Sequence, residues 1–124
     1  MPINGLAGVL IYTAADRYEL MRNFYVDMLG LSPRSDRPGF VNFEWGSQRL
    51  TVAVHSELSE HTWDPLHMMV NLLVDDIEDA YAKLHDRGIV FLRPPEQEPW
   101  GGFIATFSDP DGYMLQLMEL PARG

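Results

Sequence analysis

The sequence contains no cysteine. That removes disulfides, thiolate metal sites and cysteine nucleophiles together, and it fits a reducing compartment. Positive charge is scarce: nine Lys and Arg stand against 18 Asp and Glu, for a formal net charge of −9. A surface this acidic repels phosphate backbones and anionic lipid, so no nucleic acid and no membrane is expected as a partner. No run approaches the roughly 20 apolar residues that cross a bilayer. The start, "MPINGLAGVLIY", has no basic region ahead of a long apolar one and does not read as a signal peptide. The expectation is a cytoplasmic protein. Hydrolase machinery is missing too, with no glycine-flanked nucleophilic serine and no phosphate-cradling loop.

What is present is apolar and patterned. The 124 residues are 46% hydrophobic, enough for one ordinary domain with its own core. "GVLIYTA" (8–14) reads as a buried strand, followed by a helix with an apolar stripe of Leu20, Met21, Phe24, Tyr25, Met28 and Leu29. Asp16 and Glu19 match a capping box, and Gly30 is the stop. The pattern then recurs. Residues 68–74 form an apolar strand, Asp75 or Asp76 caps a helix striped with Ile77, Ala80, Tyr81 and Leu84, and Gly88 closes it. Asp16 and Asp76 lie 60 residues apart and Gly30 and Gly88 lie 58 apart, as two copies of one unit would.

Strand material follows each helix: "GFVNFEWG" and "RLTVAVH" after the first, "IVFLRPP", "GFIATFSD" and "YMLQLMEL" after the second. The first copy needs one more short strand, expected near residues 31–34. Each half then reads as βαβββ, with repeat one over about 6–55, a linker over 56–65 and repeat two over 66–120 of a single 1–124 domain. "RPPEQEPWGG" (93–102) is expected to be a proline-braced loop. Asp109-Pro110-Asp111-Gly112 suits a tight turn.

A doubled βαβββ unit, with "FYVDMLGL", "VDDIEDAYAKLHDRG" and "PWGGFIATFSDPDGYMLQL" in this order, resembles the vicinal oxygen chelate superfamily of glyoxalases, bleomycin-resistance proteins and dioxygenases. The resemblance implies an α+β fold in which the two repeats form an open, cupped, barrel-like sheet around a cavity, with the helices outside. It also implies a homodimer. Metal-dependent members of the family carry His, Gln or Glu ligands on the first and last strands of each half. The matching positions here are Val9, Thr51, Met69 and Gln116. Valine has no donor atom and methionine sulfur prefers soft ions, so no metal and no other cofactor is expected. The alternative is a divalent metal held by His55, His67 and Gln116, displaced along the strands by roughly 6–7 Å.

Period-two alternation puts Leu10, Tyr12, Leu50, Val52, Val54, Val70, Leu72, Val74, Leu115 and Leu117 on one face, suited to packing under the helices. The other face carries Val9, Ile11, Thr13, Thr51, Ala53, His55, His67, Met69, Asn71, Met114, Gln116 and Met118. Methionines with sparse neutral polar groups suit an apolar or aromatic organic ligand. The expected ligand contacts are His67, Met69, Asn71, Met114 and Gln116, with Trp100 as a covering ring or an interface residue. The reading is a metal-independent small-molecule-binding protein. Its alternatives are a glyoxalase-like lyase or dioxygenase-like metalloenzyme, and a non-catalytic interaction module.

Overall fold

A computed structural model describes residues 7–55 and 69–122, which fall into two compact units, one within residues 1–62 and the other within 63–124. The expected linker, with Trp63 and His61, lies outside the described residues.

In the first unit, β1 (Gly8–Thr13) leads into a helical run. That run is a 3-10 turn (Ala15–Arg17), then α1 (Tyr18–Asn23), then a π-helical turn (Phe24–Met28). Three strands follow: β2 (Ser35–Arg37), β3 (Phe40–Trp45) and β4 (Gln48–Val54). The sheet order is β1-β4-β3-β2, with β1 parallel to β4 and the other pairs antiparallel. The second unit repeats this plan with β5 (Met69–Leu73), α2 (Ile77–Asp86), β6 (Phe91–Gln97), β7 (Phe103–Ser108) and β8 (Met114–Glu119), ordered β5-β8-β7-β6. The helix in each copy carries the chain from its first strand toward a parallel partner, a crossover that no tight hairpin can make. The chain is an α+β protein of two βαβββ repeats.

One face of each sheet packs under its helix. In the first unit Ile11, Val41, Phe43 and Val52 are fully buried with Met21 and Tyr25 of the helical run, and the Tyr25 and Phe43 rings lie 6.3 Å apart. In the second, Ala105, Phe107, Leu115 and Leu117 meet Ile77 and Leu84. Tyr81, Phe91 and Phe107 stack ring to ring at 4.6 and 5.1 Å. The Asp109 carboxylate accepts the N–H groups of Asp111 and Tyr113, both at 2.9 Å, so the Asp-Pro-Asp-Gly turn closes as its composition predicts.

Four details differ from the sequence expectations. First, β1 is rotated by one residue: Val9, Ile11 and Thr13 register with Leu50, Val52 and Val54, and Leu10 and Tyr12 face the other way, 48% and 38% exposed. A continuous apolar run carries no alternation from which its face can be read. Second, the helical stripe uses Tyr18 in place of Leu20, and no side chain caps the start of either the 3-10 turn or α1. Third, the short strand is 35–37, after the expected 31–34. Fourth, 93–97 belong to β6, pairing with β7 through two irregularities, so the loop shrinks to the turn at 98–102.

Candidate functional site

The face of the second sheet opposite α2 holds the clearest constellation. Parallel pairing of β5 with β8 places Asn71 beside Gln116, and antiparallel pairing of β8 with β7 places Gln116 beside Thr106. These three neutral polar residues therefore form one row across three strands. One flanking row is Met69 with Met114, continued by Ser108, and the other is the apolar rib of Leu73, Met118 and Ile104. Gln116 Nε2 donates to Thr106 Oγ1 at 3.3 Å, and Thr106 is buried. Gln116 is half-buried and Asn71 is exposed. Among the described residues the Asn71 carboxamide and Gln116 Oε1 make no other hydrogen bond. Their free valences point away from the helix-packed core, where a ligand or water can reach them.

Of the sequence-predicted contacts, Met69, Asn71, Met114 and Gln116 share this face, as alternation expected. His67 lies outside the described residues. Trp100 sits in the β6–β7 turn, half exposed, with its ring over Gly102: a Cβ built on Gly102 would collide with the indole. The Glu98 N–H donates to the Gly102 carbonyl and the Gly101 N–H to the Glu98 carbonyl, closing the same turn. Trp100 thus packs on its own hairpin. Thr106 was not singled out from the sequence, although alternation through "FIATFS" puts it opposite Phe107 and on the face of Gln116. Arg93 was also missed. It registers with Thr106 at the outer strand, but only after an irregularity that hides its face from any period-two count.

In the first unit the equivalent row is Leu10, Thr51, Asn42 and Ser35. Asn42 is buried, and its side-chain oxygen accepts the Ser35 N–H at 3.1 Å, which ties β3 to β2. His55 stacks edge-on against Tyr12 with ring centroids 4.8 Å apart.

Several of the few basic side chains are paired with carboxylates, while the acidic excess is not compensated. Arg93 is held by Glu96 at 3.1 Å and Glu98 at 2.9 Å, and Arg34 and Arg49 share Glu44 at 2.6 and 3.1 Å. Arg22 forks onto Asp36, and Lys83 reaches Asp79. The hydrogen bond from Arg22 holds the Asp36 carboxyl below the usual carboxylate range. Burial pushes the Tyr18 hydroxyl up, helped by the negative charge of Asp36, and burial likewise raises Tyr113 beside Asp109 and Asp111.

The donors needed for the family's metal do not assemble from what is described. Val9 points to the helix side. Its neighbours on the face of Thr51, Gly8 and Leu10, have no donor atom. Met69 offers only a thioether. Among the described residues no three His, Cys, Asp or Glu side chains cluster as an ion would require.

Solved structures resemble the whole of this architecture. A glyoxalase/bleomycin resistance protein/dioxygenase from Nocardioides aligns with a TM-score of 0.77 at 25% identity, over 98% of this chain and 87% of that one. A glyoxalase family protein from Enterococcus faecalis aligns at 0.72 and 27% identity, over 96% and 100%. A lactoylglutathione lyase from Agrobacterium tumefaciens shares the fold at 0.71 and 19% identity, over 96% of each chain. No curated protein matches the chain. The family model described as Glyoxalase/Bleomycin resistance protein/Dioxygenase superfamily matches residues 10–117, and the chain belongs to that superfamily.

Proposed function

We propose that this chain is a small-molecule-binding protein of the glyoxalase/bleomycin-resistance type that works without a metal, both repeats acting as one domain and two copies forming a cytoplasmic homodimer. The ligand is an apolar or aromatic organic molecule. Its body lies on Met69 and Met114, and its polar atoms meet Asn71 and Gln116, with His67 and Trp100 as further contacts. The observation that carries the reading is the in-register row of Asn71, Gln116 and Thr106 between methionine-rich ribs. Such a surface offers hydrogen bonds and soft apolar contact, and among the described residues no acid, base or nucleophile with a partner for chemistry.

The test is elemental analysis of the purified protein alongside a thermal-shift screen of aromatic antibiotics, thiols and divalent cations. Stabilisation by an organic molecule, with no stoichiometric Ni, Zn, Mn or Fe, is the expected result. One bound equivalent of such a metal, lost on replacing His55, His67 or Gln116, would instead make the protein a glyoxalase-like lyase or dioxygenase-like metalloenzyme.

A further inference from the structure

We infer that the ligand is electrically neutral and carries a hydrogen-bond donor and an acceptor on one edge, as a carboxamide, lactam or imide does; this rests on the reading of the second sheet's polar face given above. Three observations support it.

The first is the orientation of Gln116. Its Nε2 donates to Thr106 Oγ1, which leaves Oε1 unengaged as an acceptor in a residue that registers with Asn71. The second is Asn71. Its register with Gln116 sets the two carboxamides one strand spacing apart, about 5 Å. Asn71 has no bond among the described residues, so both its N–H groups and its carbonyl are available. A partner that offers only acceptors leaves Gln116 Oε1 unpaired, and a partner that offers only donors leaves the Asn71 N–H groups unpaired. Either mismatch forfeits a hydrogen bond that water was making.

The third is charge. Arg93 is the cation that registers with this row, and it already faces two carboxylates, Glu96 and Glu98. Among the described residues an anionic ligand here meets no uncompensated positive group, and the chain carries a net charge of −9. Moving a carboxylate from water onto such a face costs free energy with nothing to offset it. Glu96 and Glu98 leave one negative charge beyond that of Arg93, but it lies on the outer strand, three strands from Asn71 at the opposite edge of the sheet, and a cation that offers only donors leaves the Asn71 N–H groups unpaired.

The experiment uses three near-isosteric probes on the full chain: 2-naphthamide, which is neutral, 2-naphthoate, which is anionic, and 2-naphthamidine, which is cationic. Binding is followed by NMR titration of the side-chain NH2 signals of Asn71 and Gln116, assigned from N71L and Q116L. Naphthamide is expected to move both signals and to bind about tenfold more tightly than either charged probe. Q116L, which keeps the volume and removes the amide, is expected to lose about tenfold for naphthamide and little for the others. Thermal unfolding of each variant confirms that it is folded. Equal or tighter binding of naphthoate or naphthamidine at the same signals would overturn the neutral-ligand inference and leave small-molecule binding intact. Failure of all three to move either signal would overturn both.

Discussion

Gln116 is held by a neighbour that the pairing of β7 with β8 sets beside it. Thr106 presents its hydroxyl one strand away and takes one amide proton at 3.3 Å. In T106V the shape survives and the acceptor is gone. The half-buried amide then loses a bond worth about 1 kcal/mol, and its rotation is no longer biased. Urea denaturation should show that loss, and the two Gln116 side-chain NH2 resonances should lose their distinct bonded shift. An unchanged midpoint would mean that the contact is incidental. Tyr18 presents the opposite case. Its ring fills the helix–sheet core of the first unit, yet its hydroxyl makes no well-formed hydrogen bond among the described residues and meets only a weak contact from the Phe40 backbone N–H. A buried polar atom in that state destabilises the fold. Y18F keeps the ring and removes the atom, so it should raise stability by about 1 kcal/mol, read as a higher urea midpoint at an unchanged slope.

Helix α2 and the helical run containing α1 occupy equivalent places and begin differently. The Asp76 side chain accepts the Asp79 N–H at 3.1 Å, and Glu119, from the last strand, accepts the Ile77 N–H at 2.9 Å. Two carboxylates thus satisfy the positive end of α2, one local and one brought by the sheet. D76A should cost about 1 kcal/mol, seen as a lower urea midpoint. A loss near zero would show that Glu119 suffices alone. An acidic cap at Asp75 or Asp76 was legible because acid, apolar stripe and terminal glycine coincide in the sequence, and the structure selects Asp76. The matching signal at Asp16 was misleading. The first copy has two more residues between its acid and its glycine, and they are absorbed in the 3-10 turn at the start and the π turn at the end. That π turn, with the Leu29 N–H on the Phe24 carbonyl at 2.8 Å, lets Phe24, Tyr25 and Leu29 all bury. β8, where Gln116 interrupts the apolar run, could be assigned a face in advance. The unbroken "GVLIYT" could not, and only its pairing with β4 settles which side of β1 is core. The polar β2, "SDR", has no apolar signal at all, because as an edge strand it is built from residues that discourage further pairing. The shared face of Met69, Asn71, Met114 and Gln116 was legible from period two. Arg93 was not, because a strand irregularity intervenes.

At the scale of the whole molecule, the ionisable groups set a pH window for stability. The Asp36 carboxyl is held low by Arg22, so its contribution is complete above the ordinary carboxylate range and is lost as the pH falls through the lowered value. Tyr18 and Tyr113 are raised by burial and by neighbouring carboxylates. Their neutral forms favour the fold below the ordinary tyrosine value of about 10, and that contribution disappears as the pH rises through the raised values. Added negative charge on a chain already at −9 acts in the same direction on the alkaline side. A plot of Tm against pH should therefore have a broad maximum that falls on both sides. D36N should flatten the acid limb and, by relieving Tyr18 of a neighbouring negative charge, also ease the alkaline limb slightly. Y18F should flatten the alkaline limb and leave the acid limb unchanged, with Tyr113 supplying the alkaline dependence that remains. The two groups are close enough for Asp36 to influence Tyr18, so D36N should also lower the Tyr18 ionisation, which difference absorbance at the phenolate band can follow. An alkaline limb identical in the native protein and in Y18F would show that Tyr18 ionises normally, and it would remove the burial argument for that residue together with its expected gain in stability.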